Sequence, residues 1–213
     1  MHKNLFLTSS VHAVAQDIAK HLNLTQNNKL LFITTPAEPK KGDLSWLAND
    51  RKALVDAGFD VSDYTITGKT KAEVEAAVIG FEYIYLSGGD TLYLLEKSQQ
   101  SGFVEIIRDL ILNKGKTYIG TSAGSIIAGP KPHDYLLKEN DVIKLENLEG
   151  YNLVNFLIMP HWGSEYHKNK YLGGRLVIAY KGDQLPMIAL TDNQYVHVID
   201  DNIQIIDVTR LAQ

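Results

Sequence analysis

"YIGTSAGSIIAG", residues 118 to 129, runs from an apolar stretch through a tight, small-residue segment into a second apolar stretch compatible with a helix. Its centre reads Gly120-Thr121-Ser122-Ala123-Gly124, which is G-x-S-x-G between strand and helix. In that pattern the serine sits at the tip of a sharp, strained turn with its hydroxyl exposed. A side chain at 120 or 124 would collide with the adjoining strand or helix, and glycine at both places removes the obstacle. Two glycines and a serine also meet by chance, so the strand, turn and helix around them carry the weight.

Working outward, the same alternation fills the first half of the chain. Asn4 to Thr8 and Lys29 to Thr35 read as short buried strands, and Val11, Val14, Ile18 and Leu22 between them recur at helical spacing. A second helix runs from about Asp43 to Gly58, and Val61 to Ile66 reads as a third strand. Thr70 and Glu73 form a T-x-x-E capping box ahead of Val74, Ala77, Val78 and Phe81. YIYLS, 83 to 87, is the next strand; it ends in Gly88-Gly89-Asp90-Thr91, where a helix begins. Phe103 to Asn113, closed by Gly115, is one more. Strands and helices alternating in this way imply βαβ units around a parallel sheet covered on both faces, with ligands bound at the carboxyl ends of the strands. Both glycine-rich turns, 88 to 89 and 120 to 124, fall at such ends. From 186 onward PMIALTD, YVHVID and NIQIID are short runs separated by Asp-Asn signals, so the sheet is expected to finish in antiparallel hairpins. Residues 130 to 155 are polar with two prolines and read as a long functional loop.

The bulk numbers suit one globular domain, 1 to 213, with 45% apolar and 22% charged residues. A net charge of -4 with scattered basic residues argues against nucleic acid, and no apolar stretch nears the eighteen residues of a membrane span. The amino terminus reads as mature structure, because His12 interrupts its apolar character, and the cytoplasm is the default expectation. With no cysteine, a thiolate metal site and a cysteine nucleophile are excluded.

A serine nucleophile needs a base, and the histidines are His2, His12, His21, His133, His161, His167 and His197. His2 lies at the chain start, and His12 and His21 lie on the first helix, remote in chain order from the later strand ends. His133 falls in the polar stretch. His197, flanked by Val196 and Val198, reads as a solvent-facing strand residue, and His167 as solvated among charges. His161 differs: it follows the apolar run NFLIMP and precedes Trp162-Gly163, which puts it at a strand mouth. A third group must orient the imidazole. Asp192 ends MIALT much as His161 ends its own run, with a plain hairpin turn at Asp192-Asn193 as the competing reading. Ala123 supplies one oxyanion N–H by elbow geometry and Gly89 is the natural second. No P-loop lysine or G-x-G-x-x-G is present, which weakens a nucleotide reading.

YLSGGDTLYLL (85 to 95), YIGTSAGSIIAG (118 to 129), MPHWG (159 to 163) and ALTDN (189 to 193), in that order, resemble the dipeptidase E group of serine peptidases, peptidase family S51, which includes the cyanophycinases. The resemblance spans most of the chain. It implies an α/β, flavodoxin-like fold similar to class I glutamine amidotransferases: a mostly parallel sheet with helices on both faces and antiparallel C-terminal strands. It also implies a nucleophile at Ser122, a histidine at His161, an acid at Asp192 and oxyanion donors at Gly89 and Ala123. The order Ser, His, acid departs from that of α/β-hydrolases and counts against an esterase. Aspartate at 192 replaces the dipeptidase's glutamate, Asp90 replaces a frequent asparagine, and residues 130 to 134 depart from the dipeptidase.

By the resemblance, substrates are small peptides, with dipeptides bearing an N-terminal aspartate in view and Arg175 as the candidate grip on that carboxylate. An isoaspartyl or cyanophycin-type peptidase and a binding protein without turnover are the alternatives. Neither metal nor organic cofactor is implied. A homodimer is the one macromolecular partner left open.

Overall fold

A computed structural model describes residues 3–24, 27–139, 143, 145–182 and 184–209; His2 lies outside them. Five parallel strands form the frame: β1 (Asn4–Thr8), β2 (Lys29–Ile33), β3 (Asp60–Tyr64), β4 (Tyr83–Leu86) and β5 (Thr117–Thr121). Two antiparallel strands, β8 (Gln194–Ile199) and β9 (Asn202–Asp207), complete a sheet of order β3-β2-β4-β5-β1-β8-β9. β1 is therefore central, parallel to β5 on one side and antiparallel to β8 on the other.

Side chains alternate across each strand, so one run feeds two cores. Phe6, Phe32, Tyr85 and Ile119 pack under α1 (Val11–Leu22) and α2 (Ser45–Asp56). Leu5, Leu7, Ile84, Leu86 and Tyr118 face the other way, toward α3 (Lys71–Val78), α4 (Thr91–Gln100) and α5 (Phe103–Arg108). Burial on both faces explains why these strands read as unbroken apolar runs. The capping box is present in full: the Thr70 hydroxyl accepts from the Glu73 N–H, and the Glu73 carboxylate accepts from the Thr70 N–H. The helix expected over 103 to 113 continues past α5 as a wider π turn, Asp109–Asn113.

The last third departs from the expected string of hairpins. β6 (Leu157–Met159) and β7 (Met187–Ala189) pair in parallel as a separate two-stranded sheet, so β7 starts no hairpin with β8. Between them lie α8 (Glu165–Lys170), a π turn (Tyr171–Arg175) and α9 (Leu176–Gly182). A crossover of this length lets two parallel strands pair, which a tight turn forbids. The stretch from 130 onward, past the end of α6 (Ala123–Ile127), opens with a short helix, α7 (Asp134–Glu139). No helix among the described residues is long and apolar enough to cross a membrane.

Candidate active site

The turn between β5 and α6 is built by close approach. A Cβ on Gly120 would stand 2.7 Å from the Gly124 backbone, and one on Gly124 would stand 2.3 Å from the Leu86 carbonyl oxygen, so neither position tolerates a side chain. Ser122 at the tip has φ 49 and ψ -104, a conformation that costs a non-glycine residue energy and persists only when the surroundings enforce it. They do: the Ser122 N–H donates to the Thr8 carbonyl at 3.1 Å, and the Ser125 hydroxyl, fully buried, lies 2.7 Å from that oxygen and 2.8 Å from the Gly120 carbonyl oxygen.

The β6-β7 pair carries the next two groups. Past the strand ends the pairing continues, with the Leu190 N–H donating to Met159 and the Trp162 N–H to Leu190, both at 2.9 Å. The loops after both strands thus leave the sheet side by side, which places His161 beside Asp192. His161 Nδ1 is 2.8 Å from Asp192 Oδ1, and His161 Nε2 is 3.0 Å from Ser122 Oγ. The hydrogen bond from His161 holds the Asp192 carboxyl down at about 2, with burial opposing and the Ser9 hydroxyl assisting. An ionised carboxylate only accepts, so Nδ1 carries the proton and the Nε2 lone pair faces the serine.

Ser9, just past β1, went unnoticed in the sequence. Its hydroxyl donates to Asp192 Oδ1 at 2.6 Å and accepts the backbone N–H of His161 at 2.7 Å. It is fully buried. His161 itself has φ 61, and the Tyr171 hydroxyl donates to the preceding Pro160 carbonyl. Only the position of Ser9 at a strand end could have hinted at this role.

Gly89 has φ 136, and a Cβ there would stand 2.0 Å from the Pro36 carbonyl oxygen, which accepts the Asp90 N–H at 2.7 Å. Among the described residues, no backbone carbonyl takes the N–H of Gly89 or Ala123. Asp90 caps α4 through the Leu92 and Tyr93 N–H groups and faces Lys40 at 3.5 Å.

The other histidines fall differently from expectation. His167 is not free in solvent: its ring stacks on His161 at 4.3 Å with 7° between planes, and burial, then the His161 charge, pushes it down to about 4. His197 is buried rather than solvent-facing, stacked on Phe6 at 4.2 Å and bonded to Asn4, because β8 is an inner strand roofed by α1. His12, despite its distance in sequence, stands near the strand ends; Nδ1 lies 2.8 Å from the Ser10 hydroxyl and 3.3 Å from buried Asp50, which raises its pKa. His133 is buried against the Ile158 carbonyl. Arg175 is not brought to the triad. Its guanidinium donates to both Glu139 oxygens at 2.7 and 2.5 Å and lies over the rings of Tyr135 and Tyr171. Among the described residues, no cluster of three His, Asp or Glu is arranged for a metal.

Comparison with known proteins gives the family and the fold. Residues 5–206 match the model of peptidase family S51. An uncharacterized peptidase of Listeria monocytogenes is 30% identical over 84% of this chain and 87% of its own length. A probable alpha-aspartyl dipeptidase of Drosophila melanogaster is 31% identical over 72% of this chain and 63% of its own. The crystal structure of a peptidase from an acI-B1 actinobacterium superposes with a TM-score of 0.74 at 16% identity, covering 97% of this chain and 88% of that one. The crystal structure of a putative peptidase E protein from Listeria monocytogenes EGD-e reaches 0.85 at 24% identity, covering 97% of this chain and 99% of that one. These two structures share the fold.

Proposed function

The chain belongs to peptidase family S51, and from that premise we propose that it is a serine peptidase hydrolysing small peptides in the cytoplasm through Ser122, His161 and Asp192. The observation that carries this reading is the unbroken line from Asp192 through the imidazole to a serine held at positive φ. In the first half-reaction His161 Nε2 takes the hydroxyl proton as Ser122 Oγ bonds to the carbonyl carbon. The oxyanion meets the N–H groups of Gly89 and Ala123. The imidazolium, balanced by Asp192, then gives its proton to the leaving nitrogen, and the C–N bond breaks. Water next yields a proton to His161 and attacks the ester carbon; the Ser122 C–O bond breaks and the proton returns to Oγ. No step calls for a cofactor.

Preference for an N-terminal aspartate is the finer reading, suggested by the description of the Drosophila relative. For it to hold through Arg175, that residue would have to exchange Glu139 for the substrate. The same exchange would be needed for Arg175 to serve isoaspartyl or cyanophycin-type substrates.

The test uses a fluorophosphonate, which reacts with an activated serine. The parent should label and Ser122→Ala should not, while turnover of a responsive dipeptide falls by at least about ten-thousand-fold. Equal turnover by Ser122→Ala would end the serine reading, and a parent that neither labels nor cleaves would be a binding protein.

A further inference from the structure

We infer that Trp46 is the apolar wall against which the residue before the scissile bond packs, so that this peptidase takes peptides with an apolar rather than an acidic residue there. The inference rests on the serine peptidase reading.

Trp46 is one of only two tryptophans in the chain and is half-buried in the first turn of α2. A Cβ placed on Gly88 would lie 3.5 Å from Trp46 Cζ3 and 3.5 Å from the Cβ of Ser122. The indole edge and the Cβ of Ser122 therefore both border the one small space beside Gly88. Any side chain longer than a methyl at 88 would fill that gap; glycine leaves it for something else.

The direction of the chemistry says which half of a substrate enters. His161 must hand its proton to the leaving nitrogen, so the leaving half lies on the imidazole side of Ser122 Oγ. The acyl half lies away from His161, over Gly88 and toward the indole.

Charge decides between side chains. Among the described residues, three side chains around this end of the sheet that carry or can take up positive charge already face carboxylates of the chain itself: Arg175 faces Glu139, His12 faces Asp50, and Lys40 faces Asp90; Lys170, whose charge reaches His167, lies over the Tyr166 ring. Asp50 is 2% exposed and also accepts the Tyr85 hydroxyl, so its partnership with His12 is built in. An acidic side chain placed beside the indole would lose water and find Arg175, His12 and Lys40 already engaged by carboxylates, whereas an apolar one gains by leaving water.

The experiment compares dipeptides that share a second residue and begin with Phe, Leu, Ala, Asp or Lys, on the full chain. Phe- and Leu-first peptides should exceed the Ala- and Asp-first ones in kcat/KM by at least about ten-fold, the scale of discrimination in an apolar pocket. In Trp46→Ala, KM for the Phe- and Leu-first peptides should rise about ten-fold with kcat within a few-fold, and the Ala-first peptide should lose several-fold less than they do. Trp46→Phe should restore most of the preference. Fluorophosphonate labelling of Ser122 should persist in both variants. A preference for Asp, an equal loss on every peptide in Trp46→Ala, or no cleavage by a protein that still labels overturns the inference. Failure of the parent to label sinks the serine reading instead, and this inference with it.

Discussion

Ser9 shows how a site can depend on a residue with no signature of its own. One hydroxyl ties Asp192, the backbone of His161 and the end of β1, and it is fully buried while doing so. Ser9→Ala leaves the His161 N–H without its acceptor. It should cost about 1–3 kcal/mol in urea unfolding and lower kcat more than it raises KM. Unchanged stability and kcat would show that the loops after β6 and β7 hold their geometry unaided. Ser122 was legible because its constraint is local: Gly120 and Gly124 must be small for reasons confined to five residues. Ser9 was not, since its partners lie 152 and 183 positions away and meet it only through the fold. His197 misled for a related reason. Alternation with valine tells which residues share a face, but not whether a helix roofs that face.

At the level of elements, the parallel strands were readable as apolar runs, and α3 announced itself through its capping box. That box lies before the amino end of α3, and Thr70→Ala should cost about 0.5–2 kcal/mol in thermal unfolding while leaving peptide turnover unchanged. A drop in turnover at constant stability would mean that α3 speaks to the site. β6 and β7 were readable as apolar runs, but their parallel pairing with each other escaped, because three residues each give no period that names a partner. Their pairing depends on the crossover between them, including the bidentate bond of Arg175 to Glu139 that joins the π turn to α7. Arginine in such a turn reads equally well as a substrate grip or a strut, and only the partner distinguishes them.

For the molecule as a whole, acid should be the weak side. Burial pushes both His167 and His197 down to about 4, below the usual value of about 6.5. The unfolded chain then binds more protons than the folded one between those values, so stability rises with pH through that window. Below about 4, Asp192 adds to the loss as it protonates toward about 2. His12, raised by Asp50, acts with the opposite sign and only above about 6.5. Urea midpoints should fall on acidification from pH 6.5 to 4, and His197→Gln should flatten that slope; an unchanged slope in the variant would show that His197 takes up its proton equally in the folded and unfolded states. The placement of β1 between β5 and β8 has a consequence for the order of events during synthesis. A nascent chain that has left the ribosome only as far as residue 160 already carries Ser122 and Ser9, but neither His161 nor Asp192, and one flank of β1 still awaits β8. Hydrolytic power should therefore switch on late, once Asp192 and β8 have emerged, leaving copies that stop short of them harmless to the peptides around them.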